Sequence, residues 1–150
     1  MVEVDMIELG EKELTLDDMY LLLFKEQQIS LSEKALNKTA ENFSFLKEFS
    51  SGKLIYGINT GFGPMAQYKI ADKDLRQLQF NLIRSHCSGS GAMIGEIDIK
   101  ALMIARLSSL MKGYSGVSND LLTTLRELIN KNINPCVYEH GGVGASGDLV

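Results

Sequence analysis

Near its end the chain carries Ala145-Ser146-Gly147 directly before Asp148, within the stretch YEHGGVGASGDLV. These residue types permit a reaction of the backbone itself. The amide nitrogen of Gly147 can attack the carbonyl carbon of Ala145 and close a five-membered ring. Loss of water from that carbon, and of the Ser146 hydroxyl as a second water, leaves an exocyclic methylidene. Gly147 leaves its nitrogen unhindered and accepts the compressed geometry. Ala145 is small beside the reacting carbonyl, and Ser146 carries a leaving group on its β-carbon. Asp148 is an adjacent acceptor able to orient or deprotonate the attacking amide. The product is an electrophile, which ordinary side chains cannot supply. Taken alone, the same stretch also reads as a tight glycine loop with a helix cap at Ser146 or Asp148.

Other glycine-rich chemistries fit less well. Gly142-Val-Gly144-Ala-Ser-Gly147 matches the spacing of a dinucleotide fingerprint, but that motif needs a preceding strand, a following helix and an acid further on. A serine nucleophile elbow requires a residue between Ser146 and the next glycine, and here Gly147 follows at once. No Gly-Lys-Ser or Gly-Lys-Thr follows the glycines, so a phosphate-binding P-loop fails too.

The elements that must position this stretch read as helices. Thr15 with Asp18 forms a capping-box pattern, with Asp in place of Glu, opening a short helix through about Lys25. Ser30 or Ser32 caps a longer one with Leu36, Ala40, Phe43 and Leu46 on one stripe, and Gly52 is a plausible stop. KLIYGINTGFGPMAQ is a short β-prone segment that breaks into a glycine-rich loop with Pro64. Asp72 caps a third helix with the stripe Leu75, Leu78, Leu82 and His86, fraying in CSGSG. A fourth runs from about Ile97 to Lys112, closed by Gly113. Ser118 caps a fifth carrying Leu121, Leu122, Leu125, Leu128 and Ile129, and NINPCVY leads in extended form to the glycines. The fold class is therefore mainly α, one unit over residues 1–150 without an internal boundary, with irregular glycine-rich loops around 57–66 and 139–148. Gly-Asp-Leu-Val reads as the start of a further helix, so a longer chain is expected.

Composition excludes more than it assigns. Apolar residues make up 45% and charged residues 23% of 150 residues, ordinary for a soluble domain. A net charge of -4 disfavours a nucleic-acid surface. The apolar runs are too short to span a bilayer, and the acidic N-terminus lacks the order of a signal peptide. Cys87 and Cys136 lie far apart, without metal-ligand spacing. A cytoplasmic protein with reduced thiols, no metal, no nucleic acid and no membrane is the expectation.

Three stretches in this order carry a resemblance: Tyr56-Gly-Ile-Asn-Thr-Gly-Phe-Gly63, Asn81-Leu-Ile-Arg-Ser-His86 and Gly142-Val-Gly-Ala-Ser-Gly-Asp-Leu149. From about residue 15 onward the chain resembles the N-terminal part of the aromatic amino acid ammonia-lyases, the histidine, tyrosine and phenylalanine lyases that share a methylidene-imidazolone cofactor. FGPMAQY, NLIRSH and EHGGVGASGDLV look closest to bacterial tyrosine ammonia-lyases, with histidine lyases next.

The resemblance implies a helical lyase fold, a homotetramer, and a chain severalfold longer whose later parts bind the substrate carboxylate. It implies that Ala145-Ser146-Gly147 forms 4-methylidene-imidazol-5-one, supported by Asp148, with no metal. It assigns Tyr56 as the catalytic base that takes the β-proton as ammonia departs. A phenol must first lose its own proton for that task, and helix N-termini favour the phenolate. Away from the motif, such a tyrosine reads as a packing residue. The glycines of GINTGFGP then read as a lid over the substrate.

The resemblance sets His86 against the substrate ring, where its imidazole can bond a phenolic hydroxyl or a substrate imidazole and disfavours phenylalanine. Cys87 takes the adjacent pocket position. Asn59 and Arg84 are assigned no role. The implied reaction is elimination of ammonia from L-tyrosine, or next L-histidine, to a trans-α,β-unsaturated acid. The alternatives are a 2,3-aminomutase, or a non-catalytic helical fragment if the chain truly ends at Val150.

Overall fold

A computed structural model describes residues 6–141. Ala145, Ser146, Gly147 and Asp148 therefore lie outside the described residues. The mainly α reading is borne out by α1 (Leu16–Phe24), α2 (Glu33–Phe49), α3 (Leu75–His86), α4 (Glu96–Leu110) and α5 (Asn119–Asn130). Among the described residues four short strands accompany them: β1 (Met6–Leu9), β2 (Gln28–Leu31), β3 (Ser90–Met93) and β4 (Tyr138–His140). No described helix is long and apolar enough to cross a membrane.

The described residues group into two compact units. The first comprises the described parts of Met1–Leu46 and Gly95–Pro135. Here α1 opens on the expected capping box: the Asp18 amide donates to the Thr15 hydroxyl at 3.1 Å, and the Thr15 amide donates to the Asp18 carboxylate at 2.9 Å. α1 also returns the chain so that β1 and β2 pair in parallel, Ile7 opposite Ile29, a pairing that requires such a crossover. Neither strand was among the expected elements. On its free side Ile29 is bracketed by Asn130, whose amide accepts from the Ile29 N–H and donates to its carbonyl, each at 2.9 Å.

The core of this unit is Leu9, Leu22, Ile29, Ala35, Ile99, Met103, Ile104, Leu107, Leu110, Met111, Leu122 and Ile129. Ser32, rather than Ser30, opens α2, accepting from the Ala35 amide at 3.4 Å. The expected α2 stripe is rotated. Ala35 and Thr39 are buried, and Phe43 is exposed. The cause is polar and steric. The Gly116 amide donates to Asn42 at 2.8 Å, the Thr39 hydroxyl donates to the Ala35 carbonyl at 2.8 Å, and a side chain at Gly10 would collide with Ala35. Small and hydrogen-bonding residues thus take the inward face. Ser118 caps α5 as expected, accepting from the Leu121 amide at 3.4 Å, and Leu122 and Ile129 are its buried positions.

The second unit comprises Lys47–Ile94 and the described part of Cys136–Val150. Asp72 does not cap α3. It opens a single 3-10 turn over Asp72–Asp74, with α3 starting at Leu75. Leu75, Leu78, Leu82 and His86 do share a half-buried face of that helix. After it, CSGSG does not simply fray: β3 pairs antiparallel with β4, Ser90 opposite His140 and Met93 opposite Tyr138. A side chain at Gly89 would meet the Tyr138 ring at 2.9 Å, so glycine there is a packing requirement. The brief β-prone start expected within 53–67 forms turns, the glycine-rich loop follows as expected, and the one β-bridge of this segment is Thr60 with Lys69.

Candidate active site

The second unit holds every site residue expected from the sequence that lies among the described residues: Tyr56, His86 and Cys87. Tyr56 stands at the start of the glycine-rich loop with 63% of its surface exposed. Its ring meets Phe62 edge-on at 6.0 Å between centroids. Its phenol oxygen accepts a long bond, 3.5 Å, from the Gly63 amide. Phe62 steadies the ring, the oxygen is held only by this long bond, and most of the side chain is exposed.

Behind Tyr56 the loop is tightly knitted. Asn59, Thr60 and Gly61 are buried. The Ile70 amide donates to the Asn59 carbonyl at 3.0 Å, and the Gly61 amide to the Tyr68 carbonyl at 3.2 Å. At Gly61 any side chain would strike Met65, a close approach that glycine alone allows. A 3-10 turn with Pro64 near its start, Gly63–Met65, continues the loop.

His86 is the last residue of α3. Its Nδ1 lies 2.8 Å from the Leu82 carbonyl oxygen and 3.0 Å from the Ser85 hydroxyl. A carbonyl only accepts, so Nδ1 carries the proton toward it. In the neutral ring Nε2 is then the unprotonated, accepting nitrogen. Ser85 is free to agree with this assignment, because its hydroxyl donates to the same Leu82 carbonyl at 2.8 Å. Cys87 follows as the residue that ends the helix, exposed and with a free thiol. No hydrogen bond joins Tyr56 to His86 or Cys87.

Three residues beyond Cys87 begins β3, which pairs with β4, and β4 precedes in sequence the glycines at 141, 142, 144 and 147. The Ile94 amide donates to the Val137 carbonyl at 2.9 Å beside this pairing. The strand pair therefore ties the end of the helix bearing His86 to the strand that precedes Ala145-Ser146-Gly147. The residue to which sequence reasoning gave no role, and which the structure places at the centre of the Tyr56 loop, is Asn59. Its signal was an asparagine among glycines, a residue type whose amide bonds readily to nearby main chain.

A sequence profile of the family described as aromatic amino acid lyase matches residues 14–150. A "probable histidine ammonia-lyase" of Thermoplasma volcanium is 46% identical over 145 residues, covering 96% of this chain and 29% of that protein. Among solved structures, the ergothioneine-degrading ergothionase of Treponema denticola superposes with a TM-score of 0.86 at 26% identity, over 93% of this chain and 28% of its own. The tyrosine aminomutase of Streptomyces globisporus superposes with a TM-score of 0.84, also at 26% identity, over 91% of this chain and 26% of its own. The chain thus spans under a third of the length of these relatives. Helical architecture, loop and profile agree, and the chain belongs to the aromatic amino acid ammonia-lyases, a family of carbon–nitrogen lyases.

Proposed function

We propose that these 150 residues are the N-terminal segment of a longer, homotetrameric ammonia-lyase that converts an aromatic L-amino acid to a trans-α,β-unsaturated acid. The observation that carries this reading is the grouping of Tyr56, His86, Cys87 and β4 in one compact unit, within a chain that belongs to the lyase family. In it Ala145-Ser146-Gly147 cyclises to the methylidene-imidazolone, with Asp148 beside the attacking amide. The residue set fits that product: an unhindered nitrogen, a small residue at the reacting carbonyl and a β-hydroxyl to lose. The group supplies an electrophilic carbon for the substrate amine.

The remaining work falls to side chains. Tyr56 takes the β-proton through its exposed phenol oxygen, as phenolate. His86 orients the ring of the substrate by accepting a hydrogen bond at Nε2, and Cys87 lines the same pocket. The glycines after Tyr56 let the loop close over the substrate and exclude water. No metal, nucleic acid or membrane takes part, and the enzyme works in the cytoplasm.

The name of the Thermoplasma relative favours L-histidine as substrate. L-Tyrosine, the first expectation from the phrases FGPMAQY and NLIRSH, is the second reading, and the similarity to a tyrosine aminomutase supports it. That similarity also keeps the 2,3-aminomutase reaction as the alternative.

The test is the mass of the peptide spanning residues 145–147 in the full-length protein. It should fall short of the coded mass by two waters, and Ser146→Ala should abolish both the deficit and turnover, since the leaving hydroxyl is gone. An unmodified peptide in an active enzyme would refute the cofactor assignment.

A further inference from the structure

The residue that precedes Tyr56 is held by the residues that close the turn after it. Asn59 reaches both main-chain polar atoms of Ile55: the Ile55 N–H donates to the Asn59 side-chain oxygen at 2.8 Å, and the Ile55 carbonyl accepts from the Asn59 N–H at 3.2 Å as well as from the Ile58 N–H at 3.1 Å. The same side chain reaches back along the incoming chain. Its Nδ2 donates to the Lys53 carbonyl at 2.7 Å and to the Ser50 carbonyl at 3.4 Å. The main-chain carbonyl of Asn59 accepts from the Ile70 N–H at 3.0 Å, which anchors it to the far side of the loop. Asn59 is only 7% exposed, so these bonds are shielded from competing water.

One planar amide, with an acceptor and two N–H donors, satisfies one donor and two acceptors that no other small side chain could satisfy together. The orientation with Oδ1 toward the Ile55 N–H is the one that pairs every donor with an acceptor. Tyr56, Gly57 and Ile58 are left as the short arch between the two clamped residues. Gly57 adopts φ +78, a conformation open to glycine, and so completes the arch. The Tyr56 side chain itself adds only an edge-on contact with Phe62 at 6.0 Å and the long 3.5 Å bond from Gly63, both partners in the same loop. The position of its oxygen is therefore set chiefly by the backbone that Asn59 fixes.

We propose that Asn59 is the positioning residue for Tyr56: its amide fixes the backbone from which the phenol reaches the substrate. This rests on the reading of Tyr56 as the base. A base displaced by as little as an ångström loses about a hundredfold in rate while the binding groups elsewhere are untouched.

The test is a double-mutant cycle in the full-length enzyme, with Asn59→Ala, Tyr56→Phe and both together. Asn59→Ala should lower kcat by roughly ten- to a hundredfold with KM changed less than about threefold, and leave the two-water mass deficit at 145–147 intact. In the Tyr56→Phe background the same substitution should cost less than about twofold, because there is no longer a proton-accepting oxygen to place. Asn59→Ser, whose hydroxyl keeps one polar group where alanine keeps none, should fall between Asn59→Ala and wild type, and it carries the test if the alanine variant fails to fold. Equal losses in both backgrounds, or no loss from either Asn59 variant, would overturn the proposal. Failure of the underlying reading is seen separately: Tyr56→Phe by itself would turn over at nearly the wild-type rate, and the positioning role would fall with it.

Discussion

At His86 the direction of one proton decides what the ring can recognise. The bond from Nδ1 to the Leu82 carbonyl leaves Nε2 as an acceptor in the neutral imidazole. An acceptor serves the phenolic O–H of tyrosine and the ring N–H of histidine equally, and phenylalanine offers it neither. In its proposed place against the substrate ring, His86 therefore separates polar rings from apolar ones without choosing between the polar pair. His86→Phe should lower the ratio of kcat/KM for the preferred polar substrate over that for phenylalanine by about tenfold or more, since a bond worth roughly 1–3 kcal/mol is lost and no buried polar group is stranded by phenylalanine. The measurement is parallel kinetics of the full-length enzyme on histidine, tyrosine and phenylalanine; an unmoved ratio would mean that His86 does not read the ring. Tyr56 and His86 were visible in the sequence through their motifs. Asn59 was not, because its role lies in hydrogen bonds to Ile55, Lys53 and Ser50, which depend on a loop shape that composition does not report.

The elements show the same division between local and non-local causes. Thr15 and Ser118 were legible as helix caps because capping is settled within one turn. β1 and β2 were not, since each is four residues long and gains its order from a partner about twenty residues away. The inward face of α2 escaped for a related reason: Asn42 and Ala35 turn inward to meet Gly116 and Gly10, which are distant in sequence. The capping box of α1 also carries a pH dependence. The Thr15 N–H, and next the Thr15 hydroxyl, hold the Asp18 carboxyl below the ordinary aspartate range. Its folded value lies below its unfolded value, so its stabilisation is complete above the unfolded value and is lost as pH falls through the folded one. Thermal melts of the full-length protein should show that Asp18→Asn lowers Tm at neutral pH and that the gap closes below about pH 4. A gap of constant size down to pH 2 would show that the carboxylate is not what stabilises the cap.

As a molecule, the chain presents part of a site. The proposed base Tyr56, the proposed ring-reading His86 and the strand that precedes the Ala145-Ser146-Gly147 tripeptide fall in one compact unit, while the relatives it matches are more than three times as long: it covers 29% of the Thermoplasma protein and 28% of the ergothionase. On the proposed function, substrate carboxylate binding and the contributions of neighbouring subunits belong to the remainder, and activity is then a property of the full-length tetramer. The most direct measurement is product analysis after incubating that enzyme separately with L-histidine and L-tyrosine, following ammonia together with the organic product by NMR. The expected result is one ammonia released for each trans-α,β-unsaturated acid formed, from at least one of the two substrates. A β-amino acid formed without release of ammonia would identify an aminomutase, and neither product from either substrate would contradict the ammonia-lyase assignment itself.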